Sequence, residues 1–202
     1  MKKFIEQIYR KNKNYEGIVF LDRDGTINEE VDYLNSEMQT KILPTVVRGI
    51  QILNKKRIAV VVITNQPVIA RGLITIDELK KINDTLFEDL KKEGAFIDAI
   101  YSCPHHPETN HSDIPPHAMK FRIECDCRKP GLAMYKKAIS DFGLKKILGA
   151  IGDQTKDVVA GKNLGIRSVI VKTGYAGQDG IHDVAPDFIC NNFLSAVNAL
   201  LQ

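Results

Sequence analysis

The sequence predicts an α/β domain built on a doubly wound parallel sheet. Three observations lead there. Apolar, β-branched runs recur along the chain, the stretches between them mostly carry helical periodicity, and the runs are apolar throughout, as strands covered on both faces are. The expected strands are Ile18 to Leu21, Ile58 to Ile63, Ile97 to Tyr101, Leu148 to Ile151 and Ser168 to Val171. Pro44 opens one helix, with Val46, Val47, Ile50 and Leu53 on a single face. A second begins at the capping box Thr75-x-x-Glu78, turns Ile76, Leu79, Ile82, Leu86 and Leu90 inward and stops before Gly94. A third runs from about Leu132 to Phe142, between Pro130 and Gly143. In such a fold ligands collect at the carboxyl ends of the strands.

Two stretches break the alternation. Residues 25 to 43, GTINEEVDYLNSEMQTKIL, are polar and irregular and suit a mobile flap over a site. Residues 103 to 128 show no helical pattern and, counted with Pro130, hold five of the eight prolines. Irregular loops longer than about 12 to 15 residues are uncommon unless functional or tied down, so something should hold this one.

With 202 residues, 44% apolar and 26% charged, the chain can bury one sizeable core, and a single domain over 1–202 is expected. The 28 basic and 25 acidic residues leave a scattered excess of +3, too little for a nucleic-acid-binding stripe but compatible with small anionic ligands. The longest apolar run, Ile58 to Ile63, is far too short to span a bilayer. Met1-Lys2-Lys3 is followed by FIEQIYRKNKNYE, which offers no apolar signal segment, so a cytoplasmic protein with reduced thiols is expected.

The first strand ends in FLDRDGTIN, bringing Asp22, Asp24 and Thr26 to its tip. The second ends in ITNQ, bringing Thr64, and the fourth in IGDQTKD, bringing Asp153 and Asp157. Carboxylates crowded onto one rim repel unless a cation lies among them, and an all-oxygen set suits Mg²⁺. Lys129 would complete a site for a phosphoryl group. Taken singly, D-x-D-G reads equally well as a turn, Asn65-Gln66 as a helix cap and Lys129 as a solvated charge. Their ordered combination is what points to phosphoryl chemistry.

Cys103, Cys125 and Cys127 stand at the two ends of the proline-rich loop, while Cys190 stands apart and reads as a small buried apolar residue. C-x-C by itself also suits a redox pair. The half-site CPHH changes the balance, because residues i and i+2 of an extended segment point to the same side. Cys125 with Cys127, and Cys103 with His105, then close a Cys₃His tetrahedron around Zn²⁺, a structural site with no open position. His106 is an alternative ligand, and His111 and His117 read as exposed loop residues.

In the order DRDGT, ITN, RK and GDQTKD, the chain resembles the haloacid dehalogenase superfamily of phosphotransferases over roughly residues 16 to 190. The resemblance implies the Rossmann-like haloacid dehalogenase fold, with Asp22 as nucleophile and Asp24 as general acid and then base. Thr64 and Lys129 would stabilise the phosphoryl group. It implies Mg²⁺ held by Asp22, the Asp24 carbonyl and Asp153, with Asp157 in support. CPHHPE with CDCRKPG is similar to a capless zinc-loop branch acting on D-glycero-D-manno-heptose 1,7-bisphosphate and, close by, on histidinol phosphate. That branch favours His105 as the fourth zinc ligand and gives Arg128 to substrate recognition. Asn65, Gln66, Tyr33 and Arg71 are further substrate-binding candidates.

The implied activity is removal of the 7-phosphate of a heptose bisphosphate, a small sugar phosphate, by a monomer feeding nucleotide-activated heptose synthesis. Where the branch reads TNQSGIARG this chain has TNQPVIARG, and Asp32-Tyr33 replaces Gly-Tyr; both departures bear on the sugar rather than the chemistry. Histidinol phosphate is the nearest rival, since Glu29, Glu30 and Asp32 suit an ammonium group. A phospho-receiver domain shares acids, Thr and Lys on a parallel sheet, but carries no acid two residues beyond its phosphorylated Asp. A Cys₃His nucleic-acid-binding finger fits poorly with the near-neutral charge.

Overall fold

The computed structural model describes residues 4–12, 14–107 and 114–202; the basic start Met1-Lys2-Lys3 and His111 lie outside these. Its strands are β1 (Ile5–Ile8), β2 (Gly17–Leu21), β3 (Ile58–Asn65), β4 (Ala99–Cys103), β5 (Ile147–Gly152), β6 (Ser168–Val171) and β7 (Phe188–Cys190). They form one sheet in the order β1-β4-β3-β2-β5-β6-β7. All pairs from β4 to β7 are parallel, with Phe20 of β2 opposite Val61 on one side and Ala150 on the other. β1 corrects the expectation of a wholly parallel sheet: it pairs antiparallel with β4, Glu6 facing Tyr101. β1 and β7 are four and three residues long and partly exposed, so neither has the continuous apolar run that marked the inner strands. The third expected strand lies two residues further on, which sets Cys103 at the carboxyl end of β4.

The helices are α1 (Val46–Lys55), α2 (Ile76–Lys92), α3 (Pro116–Met119), α4 (Ala133–Phe142), α5 (Thr155–Leu164) and α6 (Phe193–Leu200). The Thr75–Glu78 capping box is present at the start of α2. Because strand side chains alternate between faces, β2 divides its residues between two cores. Val19 and Leu21 pack with Ile50 and Leu53 of α1, Leu86 of α2 and Phe193 of α6. Ile18 and Phe20 pack on the other side with Met134, Tyr135 and Ala138 of α4 and Ala160 of α5. Phe20 and Tyr135 meet edge to face at 5.0 Å. Burying each such side chain contributes roughly 1.5–3 kcal/mol. The sheet is thus covered on both faces, and all described helices are too short or too polar to cross a membrane.

The flap and the described part of the proline-rich loop are both tied down. The flap over residues 25–43 is pinned by bridges of Asn28 to Asp24 and to Ile42, buries Ile27 and Leu34, and contains one 3₁₀ turn, Glu37–Gln39. The proline-rich loop is not helix-free as expected, since α3 forms a single turn after Pro115. Its Phe121 joins Leu34, Val68 and Ile69 in a small third core. Cys190, expected to be buried, is half-buried at the sheet's edge, packed against the first core.

Candidate active site

Three strand tips and one loop converge. The backbone N–H of Asp22 donates to Ile151 of β5 at 2.8 Å, so the end of β2 is held to the neighbouring strand. Lys129, on the segment leading into α4, is 3% exposed. Its Nζ lies 2.8 Å from Asp22 Oδ1 and 2.7 Å from Asp157 Oδ1. Burial and the neighbouring acids act in opposite directions here. Burial pushes Asp22 up, but the Lys129 and Lys156 charges hold its carboxyl below the ordinary carboxylate range. Burial opposes the charge on Lys129, while Asp157 and Asp22 keep it above the ordinary lysine range. A carboxylate held ionised thus sits beside an ammonium group that keeps its proton.

The acids of Asp22, Asp153 and Asp157 place oxygens within 4.8 Å of one another. Burial, then the charges of Asp22 and Asp157, push Asp153 up to about 8. Its Oδ1 is buried without a hydrogen-bond partner, while Oδ2 accepts from the Tyr175 N–H at 2.9 Å. An orphaned carboxylate oxygen among like charges fits a divalent cation with oxygen ligands. Gly25 (φ +72°) and Gly174 (φ +66°) close around this carboxylate, and a Cβ on either would overlap Asp153 Oδ2. Thr173 seals the approach by donating from Oγ1 to the Gly25 carbonyl at 2.6 Å.

Above these acids opens a cavity of about 320 Å³, lined among others by Asp22, Asp24, Thr64, Gln66, Arg71 and Arg128. Gln66 Nε2 donates to both Asp24 Oδ2 (2.8 Å) and Thr64 Oγ1 (2.9 Å), leaving the Thr64 hydroxyl proton for another acceptor. Asn65 lies on the cavity wall, and its carboxamide clamps the Lys129 backbone, accepting from its N–H at 2.8 Å and donating to its carbonyl at 3.1 Å. Tyr33 stands exposed outside the lining, with the Arg71 guanidinium 4.9 Å over its ring. Val68, one of the departures from the branch's turn, is buried in the third core at the cavity's edge.

Sequence reasoning passed over Lys156 and Tyr175 on the cavity lining, and named Glu30 only as a flap acid. Lys156 sits in GDQTKD between two assigned acids, a signal that was available; its Nζ donates to Gln154 Oε1 at 2.7 Å. Burial, then Asp24 and Asp22, push Glu30 up to about 7. Tyr175 arrives on the loop after β6, which nothing local marks. A larger cleft, about 730 Å³, lies at the opposite, amino ends of the strands between Lys56, Lys146 and Arg167, and holds none of the strand-tip acids.

Beside the cavity, Cys103, His105, Cys125 and Cys127 bring their ligand atoms together. The edges of this group run from 3.1 Å (Cys125 to Cys127) through 3.3 Å (His105 Nδ1 to Cys127) to 3.8 Å (Cys103 to His105 Nδ1). Zn–S and Zn–N bonds of about 2.3 and 2.0 Å require tetrahedron edges of about 3.5–3.8 Å, so small shifts close the group on an ion. All four cysteines are free thiols. His106 is not in the group, and His117 is exposed on α3. The group reaches the cavity through Arg128, whose N–H donates to Cys125 Sγ at 3.4 Å and whose Nη1 donates to the His105 carbonyl at 3.2 Å.

The HAD-hydrolase-like family model matches residues 126–196. The chain is 32% identical to a D-glycero-D-manno-heptose-1,7-bisphosphate 7-phosphatase of Chlorobaculum tepidum, covering 91% of this chain and 94% of that one. It is equally similar, 32%, to the D-glycero-alpha-D-manno-heptose-1,7-bisphosphate 7-phosphatase of Photorhabdus laumondii, over 92% and 96% of the two chains. Among solved structures it resembles the D,D-heptose 1,7-bisphosphate phosphatase of B. bronchiseptica complexed with magnesium and phosphate, at a TM-score of 0.75 and 29% identity over 92% of this chain and 98% of that one.

Proposed function

The chain belongs to the haloacid dehalogenase-like phosphatases and is a phosphoric monoester hydrolase, and on that premise we propose that it removes the 7-phosphate of D-glycero-D-manno-heptose 1,7-bisphosphate through an aspartyl-phosphate on Asp22. The observation carrying this reading is Lys129, wedged between Asp22 and Asp157 at the foot of a cavity whose wall presents Arg128 and Arg71. The phosphoryl group enters over Asp22. Lys129 offsets the repulsion between carboxylate and dianion, and the Thr64 hydroxyl donates to an equatorial oxygen. An Asp22 oxygen bonds phosphorus as the bond to the C7 oxygen breaks, and Asp24 gives that oxygen its proton. Asp24 then takes a proton from the water that cleaves the Asp22–phosphorus bond. Asp22, Asp153 and the Asp24 carbonyl would hold Mg²⁺, with Asp157 in support, and the bound ion supplies further charge neutralisation at the phosphoryl oxygens.

Arg128 would bind the phosphate that remains at C1, its guanidinium steadied by the loop that Zn²⁺ closes through Cys103, His105, Cys125 and Cys127. Glu30 and Asp32 on the cavity lining support histidinol phosphate as a second reading, since its ammonium group needs acids. Phosphate release from both anomers of the bisphosphate and from histidinol phosphate separates the two. Arg128→Ala should lower kcat/KM for the bisphosphate about 10- to 100-fold, as loss of a charged hydrogen bond does, and spare the monoester. Equal losses on the two compounds would remove the bisphosphate from consideration.

A further inference from the structure

We propose that a buried chain of hydrogen bonds, Asp24–Arg23–Asn83–Gln7, aims the Asp24 carboxylate at the leaving oxygen, which makes Asn83 of α2 a positioning residue; this rests on the acid role assigned to Asp24. Arg23 is 0% exposed and is among the largest wholly buried side chains. A buried guanidinium is tolerated only when paired and hydrogen-bonded. Its Nε and Nη2 donate to the two oxygens of Asp24 at 3.0 and 2.9 Å, a bidentate fork that fixes the carboxylate plane. Asn28 Nδ2 at 2.9 Å and Gln66 Nε2 at 2.8 Å complete the set.

What aims the fork is Asn83. Its Oδ1 accepts from Arg23 Nη1 at 3.0 Å. It is wholly buried in the apolar stripe of α2, between Leu79, Ile82 and Leu86, where a carboxamide costs stability unless every polar atom is used. Its Nδ2 donates to Gln7 Oε1 of β1 at 2.9 Å, and Gln7 Nε2 donates to Asp84 Oδ1 at 2.8 Å and to the Lys80 carbonyl at 3.1 Å. The antiparallel edge strand, which takes no part in the rim of acids, is therefore wired to the proton donor.

The test compares two leaving groups. kcat/KM reports phosphoryl transfer to Asp22, where an alkoxide of a sugar needs a proton and p-nitrophenolate does not. Asn83→Leu should lower kcat/KM for the heptose bisphosphate about tenfold, a fraction of the ~10²–10⁴-fold that an acid supplies, and change it less than about twofold for p-nitrophenyl phosphate. Asn83→Asp, which keeps an acceptor for Arg23 but loses the donor to Gln7 Oε1, should restore most of the ratio and not all of it. Should Asn83→Leu not fold, Gln7→Leu at the sheet's edge gives the same pattern in weaker form. Equal losses on both esters, or no loss on either, overturn the proposal. Asp24→Asn is the control for the underlying reading: if it fails to discriminate between the esters, the acid assignment itself falls, whereas discrimination by Asp24→Asn but not by the Asn83 variants sinks the hydrogen-bond chain alone.

Discussion

The acid cluster at the strand tips and the cysteine cluster of the loop are joined by Lys129, two residues beyond Cys127 and in contact with Asp22 and Asp157, yet they are held in opposite ways. Asp22 and Asp153 directly follow β2 and β5 and Asp157 stands in the first turn of α5, so regular structure holds them together against their own repulsion. Cys125, Cys127 and His105 stand in a loop whose described part holds one short helix, kept close by burial of Cys127 beside Cys103, by the Arg128 bond to the His105 carbonyl and, when bound, by a shared ion. On the proposed reading, a cation at the first site would serve chemistry on a frame that already exists. A cation at the second would serve the frame, and through Arg128 and Lys129 the chemistry as well.

The largest break in this comparison is Asp22→Asn. It should remove more than about 10⁴ of kcat, as loss of a nucleophile does, while zinc content and Tm stay close to those of the parent. Turnover that survives would end the covalent reading. Zinc removal should act on both fold and activity. Closing a structural site contributes an apparent ~10–16 kcal/mol in small zinc domains, so a chelator or Cys127→Ser should lower Tm and cut kcat/KM about 10- to 100-fold. Zinc, and not added Mg²⁺, should restore the chelated protein. Full activity in protein shown by metal assay to be zinc-free would contradict the shared task of the cysteines and the basic pair.

A pH series sharpens the same contrast. Asp153 is pushed up to about 8 in the fold, so between the ordinary carboxylate range and that value the folded chain binds more protons than the unfolded one. Stability from this group therefore falls as pH rises across that window. Without divalent ions Tm should drop from pH 5 to pH 8, and Mg²⁺ should raise Tm more at the upper end. An Mg²⁺-induced rise that shrinks toward pH 8 would speak against a cation at Asp153. The smallest effect is expected of Cys190→Ser at the half-buried edge of β7. Zinc content and turnover should be unchanged and stability should move by no more than about 0.5 kcal/mol.

Much of the candidate site was legible because its signals are local. Asp22, Thr64 and Asp153 each follow a continuous apolar run, and Cys125 with Cys127 share a side by the two-residue period of an extended chain. Asn65 was legible as a substrate-binding candidate, but its clamp on the Lys129 backbone spans 64 residues and follows from no spacing. Tyr33 carries an apolar ring in the flap, yet its exposure is decided by how Leu34 beside it packs into the third core.

By itself the chain's order of residues determined the inner strands β2 to β6, the helices α1, α2 and α4 and the side chains at their ends, because hydrophobic period, capping and turn chemistry act over a few residues. Only the tertiary structure decided that β1 runs antiparallel along β4, that Arg23 is buried between Asp24 and Asn83, and that the loop of Gly174 and Tyr175 closes on Asp153. Those contacts join segments 60 to 97 residues apart where β1 meets β4 and Arg23 meets Asn83, and they are selected by the burial of charge and by sheet pairing. Neither leaves a periodic trace in the segments it joins.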